Sequence, residues 1–392
     1  MCGGATPDES GRQVVLSLEK LNAIRAVDTV DCSMTVEAGA ILHNVHEAAR
    51  EAGLFFPLDL AAKGSCQIGG NLSTNAGGIN VLRYGNARDL VLGLEVVLAD
   101  GSVWDGLSNL RKDNTGYDLK QLFLGSEGTL GIITAAVLKL FPSPRDHRTA
   151  MLSVAHPEAA CRLLSAARSL SGDAVVSYEY ISREAMECVL SAGMGKDPFA
   201  KPYGHYVLLE LASAAGGEYL DGMLERIVEK GMEAGGIRDG VLAQNERQRG
   251  ELWGIRESIS EAQRGSVKND VSVPVSRVPR LLQEAAGRVE SIARGARPCP
   301  FGHIGDGNIH YNILPPQGED MGAFRQRSGA PLVEAVSDLA MSLGGSFSAE
   351  HGVGQLRRDM MGRYKSREAL EIMRKLKAMM DPDNVLNPGK VL

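Results

Sequence analysis

The chain has 392 residues, of which 44% are hydrophobic and 23% charged, with a formal net charge of −6. That length exceeds one simple core and predicts two or three lobes, while no apolar run is long enough to span a bilayer. The acidic balance and scattered basic residues exclude a nucleic-acid footprint, so an acidic substrate would need a local basic pocket.

The N-terminus shows neither a basic-then-apolar signal nor a lipidation motif. Met1, Cys2, Gly3 and Gly4 instead read as the inside of a glycine-rich loop. Cys2, Cys32, Cys66, Cys161, Cys188 and Cys299 form no CxxC pair, which argues against a zinc ribbon or disulfide framework and for reduced thiols in a cytoplasmic protein. Residues 14–18 and 33–36 read as strands, and residues 41–52 repeat apolar positions at helical spacing until Gly53. Residues 91–98 form a buried strand that turns at 99–102 into a return strand at Val103 and Trp104. Between these lies a glycine-rich run at 64–78. Its glycines let backbone N–H groups approach an anion or a ring, while Ser65, Ser73, Thr74 and Asn75 offer short donors. It is either a ligand cradle or a long flexible loop, and it is not the GxGxxG dinucleotide fingerprint. A second glycine-punctuated segment, 125–131, feeds an apolar strand that exits through residues 141–144, a boundary rich in proline.

From 145 the pattern becomes helices alternating with strands. Helices are predicted at 157–170, 219–234, 246–263 and 280–294, and strands at 175–181, 206–212 and 239–243. Arg256 and Ser260, four apart, share a helical face. They suit a substrate carboxylate, or the arginine is merely solvated. At 302–312 two imidazoles, His303 and His310, flank a tight turn made by Gly305, Asp306 and Gly307, and Asn312 shares the strand face of His310. From these residues alone the stretch is a metal site or a surface hairpin. A helix at 331–343 stops at Gly344, and Glu350 and His351 follow in a third glycine-rich turn. Being adjacent, they point to opposite sides of an extended backbone and can serve two partners. Residues 357–380 read as a basic helical tail.

The paired runs Ile68, Gly69, Gly70, Asn71 through Gly78 and Gly125, Ser126, Glu127, Gly128 through Gly131 resemble the flavin-binding domain of the vanillyl-alcohol oxidase family. Within it, the whole chain resembles the FAD-linked D-2-hydroxy-acid dehydrogenases, which act on D-2-hydroxyglutarate, D-lactate or glycolate. The resemblance implies an α+β fold with a PCMH-type FAD-binding domain at 1–144, an α+β substrate-binding cap at 145–330 and a helical C-terminal segment at 331–392. It implies FAD contacts from Pro57, Asp59, Gly64, Ser65, Cys66, Ile68, Gly69, Gly70, Asn71, Ser73, Thr74, Asn75, Gly77 and Gly78. Tyr84, Gly85, Gly125, Glu127, Gly128, Gly131, Ile132 and Asn387 would complete that set. It implies a divalent metal, zinc being expected, on His303, His310 and Glu350 with Asn312 nearby. Arg256, Ser260 and Lys268 would clamp the carboxylate, with Asn269 where the family often has an aromatic residue. His351 would be the general base, and hydride would pass from C2 to flavin N5. The expected electron acceptor is an electron-transfer flavoprotein, a quinone or a cytochrome rather than NAD, and a homodimer is a further expectation. Family members carry a strand-rich subdomain ahead of the position of Gly3, so the chain as written is expected to bind FAD weakly. A non-catalytic metal- and hydroxy-acid-binding remnant is the alternative from another class.

Overall fold

Met1–Ser143 and Glu350–Leu392 form one unit and Pro144–Ala349 a second. The computed structural model describes residues 2–215 and 219–392, and Met1, placed by the sequence in the first glycine loop, lies outside them. The first unit is built on five antiparallel strands: β1 (Ile24–Asp28), β2 (Ser33–Glu37), β4 (Val91–Val97), β5 (Val103–Gly106) and β6 (Ile132–Lys139), in the order β1-β2-β6-β4-β5. A two-stranded ribbon, β3 (Leu54–Phe55) with β7 (Phe141–Pro142), stands beside them. Helix α1 (Leu42–Glu51) turns Leu42, Val45 and Ala49 inward at spacings of three and four, and Gly53, at φ 72°, ends it. They meet Met34 and Val36 of β2 and Leu94 and Val96 of β4 in one core.

Two sequence expectations fail in this unit. Residues 14–18 form no strand: Val14 is 91% exposed and has no partner strand to cover it. The run 64–78 is not a loop throughout, since residues Ile68–Ser73 close a short helix, α2, that buries Ile68 and Leu72. Short helices α3 (Val81–Tyr84) and α4 (Lys120–Phe123) complete this half of the unit.

The second unit is a seven-stranded antiparallel sheet in the order β11-β8-β10-β9-β13-β14-β12. Its strands are β8 (Asp146–Val154), β9 (Val175–Ser182), β10 (His205–Ser213), β11 (Ile237–Leu242), β12 (Asp270–Ser272), β13 (Arg297–Gly302) and β14 (Asn308–Leu314). Its helices are α5 (Pro157–Ser171), α6 (Arg183–Ser191), α7 (Tyr219–Glu233), α8 (Glu246–Ala262), α9 (Val278–Ile292) and α10 (Met321–Ser342). Every residue of β9 is buried: the strand lies between β10 and β13, α5 meets it at Tyr178, and Arg256 of α8 reaches it at Glu179. Tyr178 donates its hydroxyl to the Ala160 carbonyl of α5, so its neighbour Glu179 points to the other face. Helix α10 begins well before the predicted 331. Asp320 caps it by accepting from Ala323 N (2.9 Å), and Pro331 sits inside the helix instead of opening it. The chain then returns to the first unit through α11 (Arg358–Tyr364) and α12 (Arg367–Met380). The tail is therefore two helices, broken where Ser366 caps the second.

Candidate functional site

Strand register brings polar side chains of separate strands to one face of the sheet. Phe301 of β13 pairs with Ile181 of β9 on one side and with His310 of β14 on the other, and His310 pairs in turn with Asp270 of β12. Directly paired residues share a face, so Glu179, Phe301, His310 and Asp270 all look to the same side. Helix α8 lies over that side: its Arg256 Nε donates to Glu179 Oε2 at 2.7 Å, and the guanidinium sits 5.0 Å from the Phe301 ring centre. Arg256 is 8% exposed and Glu179 1%. The second Glu179 oxygen, Oε1, meets His303 Nδ1 at 2.7 Å. Burial alone would raise the Glu179 carboxyl, but the charges and hydrogen bonds of His303 and Arg256 outweigh it and bring it down to about 2.

His303 opens the turn between β13 and β14. The carbonyl of His303 accepts from Asp306 N and Gly307 N, both at 3.1 Å, which closes the turn tightly. Gly307 is required there: it sits at φ 87°, and a Cβ would lie 2.0 Å from the Val273 carbonyl oxygen. The two imidazoles end with ring centres 5.7 Å apart and planes at 73°. Residues 346–349 run beside β12, with Ser272 and Ser346 exchanging backbone bonds and Ala349 N donating to the Asp270 carbonyl at 3.3 Å. Glu350 follows Ala349 by one peptide bond, so the chain itself carries this carboxylate toward the histidines. One ligand atom each from His303, His310 and Glu350 lies within 4.8 Å of the others. Two imidazoles and a carboxylate suit a divalent metal, and with Nδ1 of His303 on Glu179 its Nε2 would be the atom left for such an ion.

In the first unit the two glycine segments are bonded to each other: Gly125 N donates to Leu72 O (3.0 Å) and Glu127 N to Ser73 O (2.8 Å). Arg88 joins them, its backbone N donating to Asn75 Oδ1 and its guanidinium to Leu124 O. The glycines divide into two kinds. A Cβ on Gly69, Gly78 or Gly131 would strike protein at 2.7, 2.2 or 2.6 Å, so these are glycines for close packing. A Cβ on Gly64, Gly70 or Gly128 would meet nothing within 4 Å, so there the backbone borders open space.

Several side chains named from sequence have other employment. The Glu127 carboxylate accepts from Val353 N (2.7 Å) and Gly354 N (2.8 Å), so it shapes the turn after His351. Asn387 spends its Nδ2 on the Gly4 and Glu127 carbonyls, both at 2.7 Å. Thr74 and Ser65 donate their hydroxyls to local carbonyls, of Gly70 and Ala62, and Asp59 pairs with Lys63. Tyr84 packs edge-on against Phe141 at 4.8 Å. Arg256 is buried while Ser260 and Lys268 are exposed, so the structure draws only the arginine into the sheet face. Asn269 is buried, donating to Tyr311 O at 2.9 Å, while its Oδ1 has no hydrogen-bond partner among the described residues. Glu350 also accepts, through Oε1, from Gly78 N at 3.3 Å. Sequence reasoning missed Glu179 altogether. The signal was a carboxylate in the middle of the apolar strand VVSYEYIS, where a buried charge demands partners.

Residues 143–391 match the family described as FAD linked oxidases, C-terminal domain, and residues 1–106 match the FAD binding domain. The chain is 40% identical over 405 residues to the D-2-hydroxyglutarate dehydrogenase, mitochondrial, of Bos taurus, a match spanning 100% of this chain and 70% of that protein. It is 38% identical over 393 residues to the D-2-hydroxyglutarate dehydrogenase of Xanthomonas citri pv. viticola, spanning 100% of this chain and 82% of the relative. Among solved structures, p-cresol methylhydroxylase with substrate bound superposes at TM-score 0.71, with 17% identity, over 95% of this chain and 78% of its own. Alkyldihydroxyacetonephosphate synthase gives 0.67 at 19% identity, over 94% and 67%. These structures share the fold. With both domain matches and relatives of this identity along its whole length, the chain belongs to the FAD-linked oxidases of the vanillyl-alcohol oxidase type and is an FAD-dependent oxidoreductase.

Proposed function

We propose that the protein oxidises a D-2-hydroxy acid, D-2-hydroxyglutarate first among them, to the 2-oxo acid and passes the electrons to an acceptor other than NAD. The observation that carries this reading is the pairing of a His–His–Glu cluster with a buried arginine held by the same carboxylate, Glu179, that holds one of the histidines. The names of the relatives support the substrate. The segments around Gly64, Gly70 and Gly128 would hold FAD, and His303, His310 and Glu350 a divalent metal, with zinc favoured by the donor set. When bound, FAD supplies a hydride acceptor and the metal a Lewis acid that lowers the pKa of the 2-hydroxyl.

The residues of the chain do the rest. Arg256 uses Nε on Glu179, so its two Nη groups present the planar fork that suits a substrate carboxylate. Ser260 and Lys268, both exposed, would add to that clamp in this reading. His351 takes the hydroxyl proton as the C2–H bond breaks and the carbonyl forms. Asn312, its Nδ2 fixed on Gln263 Oε1 at 2.9 Å, lines the wall beside His310. The six cysteines are free thiols, which suits a reducing compartment.

A panel of D-2-hydroxy acids with an artificial electron acceptor tests the reading. D-2-hydroxyglutarate is expected to give the highest kcat/KM, and Arg256→Ala to lower it by about 10- to 100-fold through KM, the range of a lost charge-assisted bond. Preference for glycolate or D-lactate would move the assignment to a smaller pocket, and no turnover of any hydroxy acid by the flavin-loaded protein would overturn it.

A further inference from the structure

Glu179 is a carboxylate that the proposed reaction does not use directly, although it lies in the centre of the second unit's sheet and touches both halves of the proposed chemistry. Its two oxygens are divided: Oε1 faces His303 Nδ1 and Oε2 accepts from Arg256 Nε, each at 2.7 Å. It is 1% exposed, on a strand with no exposed residue. Such a group costs several kcal/mol to bury and is retained only where its partners satisfy it. Glu210, another buried carboxylate on this face, serves as contrast. It is bonded by Thr149, Arg249 and Trp253, none of them a member of the His–His–Glu cluster.

We infer that Glu179 is a positioning residue that sets two things at once, the tautomer of the metal ligand His303 and the direction of the carboxylate-binding Arg256. The inference rests on the reading given under Proposed function and adds to it a residue through which metal site and substrate clamp are coupled. The chemistry of the isosteric amide shows why only a carboxylate serves. In Glu179→Gln, one terminal atom remains an acceptor and the other becomes an NH2 donor. If the acceptor keeps Arg256, the NH2 faces Nδ1 of His303, forces it to accept, and places the proton on Nε2, where a metal would bind. If the acceptor keeps His303, the NH2 is driven against the Nε–H of Arg256. A carboxylate accepts from both and meets neither conflict.

The test measures zinc binding by chelator competition on the purified full chain, without substrate, alongside kcat and KM for the preferred hydroxy acid. Glu179→Gln is expected to weaken zinc about 10- to 100-fold, the usual effect of removing a carboxylate behind a metal-bound histidine, and to raise KM at saturating zinc. Glu179→Asp, which keeps the charge on a shorter arm, is expected to recover part of both. Glu210→Gln is expected to lower the unfolding temperature while leaving zinc affinity and KM at wild-type values. Zinc affinity in Glu179→Gln equal to wild type, with zinc bound normally by the wild type, would overturn this inference and leave the proposed function standing. The inference falls in the same way if Glu210→Gln shifts zinc affinity as much as Glu179→Gln does, because the effect would then be general to the fold. A wild-type chain that binds no zinc would overturn both the inference and the metal assignment beneath it.

Discussion

Single residues carry the sharpest consequences in this fold, and Glu210 shows why. Burial pushes its carboxyl up, but facing His147 at 3.6 Å and bonded by Arg249 and Thr149 it is held at about 2, against an ordinary 4.5. A depressed carboxyl contributes stability that is complete above the ordinary value and is lost as the pH falls toward 2, an amount of about 3 kcal/mol at neutral pH. Glu210→Gln is therefore expected to lose about that much at pH 7 and to show a flatter stability curve between pH 4.5 and 2 than the wild type. Urea unfolding across that range checks it, and parallel curves for the two proteins would refute it. Gly307 is the second case. Alanine there must hold φ 87° and place its Cβ against the Val273 carbonyl, so Gly307→Ala is expected to cost about 2 kcal/mol or more and to disturb the turn that aims His303. Thermal unfolding with a zinc titration separates the two effects.

At the scale of elements, the α8 helix matters most because it delivers Arg256. Asn245 caps it, accepting from Gln248 N at 3.0 Å, and Asn245→Ala is expected to cost about 1 kcal/mol while leaving zinc affinity unchanged, since no residue of α8 belongs to the group of His303, His310 and Glu350. Elements with a clear period were legible from sequence: α1, α5, α7 and α8 and the strands β4, β9 and β14 fall within a few residues of expectation. Those that failed did so for physical reasons. The apolar run at 14–16 looks like a strand but has no partner, and β1, with four of five residues exposed, carries no apolar alternation to announce it. Helix α2 is masked by Gly69 and Gly70, poor helix formers whose place is fixed by close packing on Ala38 and by open space above the backbone. The imidazoles and Glu350 were visible as residue types in glycine-rich turns. What sequence could not show was register. Glu179, His310 and Asp270 share one face only because β9, β13, β14 and β12 pair as they do, and strand order is a long-range property.

At the scale of the whole molecule, the chain crosses between its two units twice, at 143–144 and 349–350, and each unit has its own sheet. Among the described residues no helix is long and apolar enough to cross a membrane. The second crossing falls immediately before Glu350, so the proposed metal ligand and the proposed base, His351, are the first two residues of the return segment. Glu127 then fixes the following turn through Val353 N and Gly354 N. Glu127→Ala removes both acceptors and is expected to loosen that turn and lower the fraction of FAD retained through gel filtration, measured by flavin absorbance. Retention equal to wild type would remove Glu127 from the cofactor domain's support.

The most direct test of the proposed function is single-turnover reduction of the bound flavin, followed without oxygen by the loss of its visible absorbance on adding D-2-hydroxyglutarate. The wild-type protein, loaded with FAD and zinc, is expected to bleach with the D-acid and not the L-acid, and His310→Ala or chelator treatment to slow bleaching by about two orders of magnitude or more. Flavin that stays oxidised with every D-2-hydroxy acid, or a His310→Ala protein that bleaches at the wild-type rate, would contradict it.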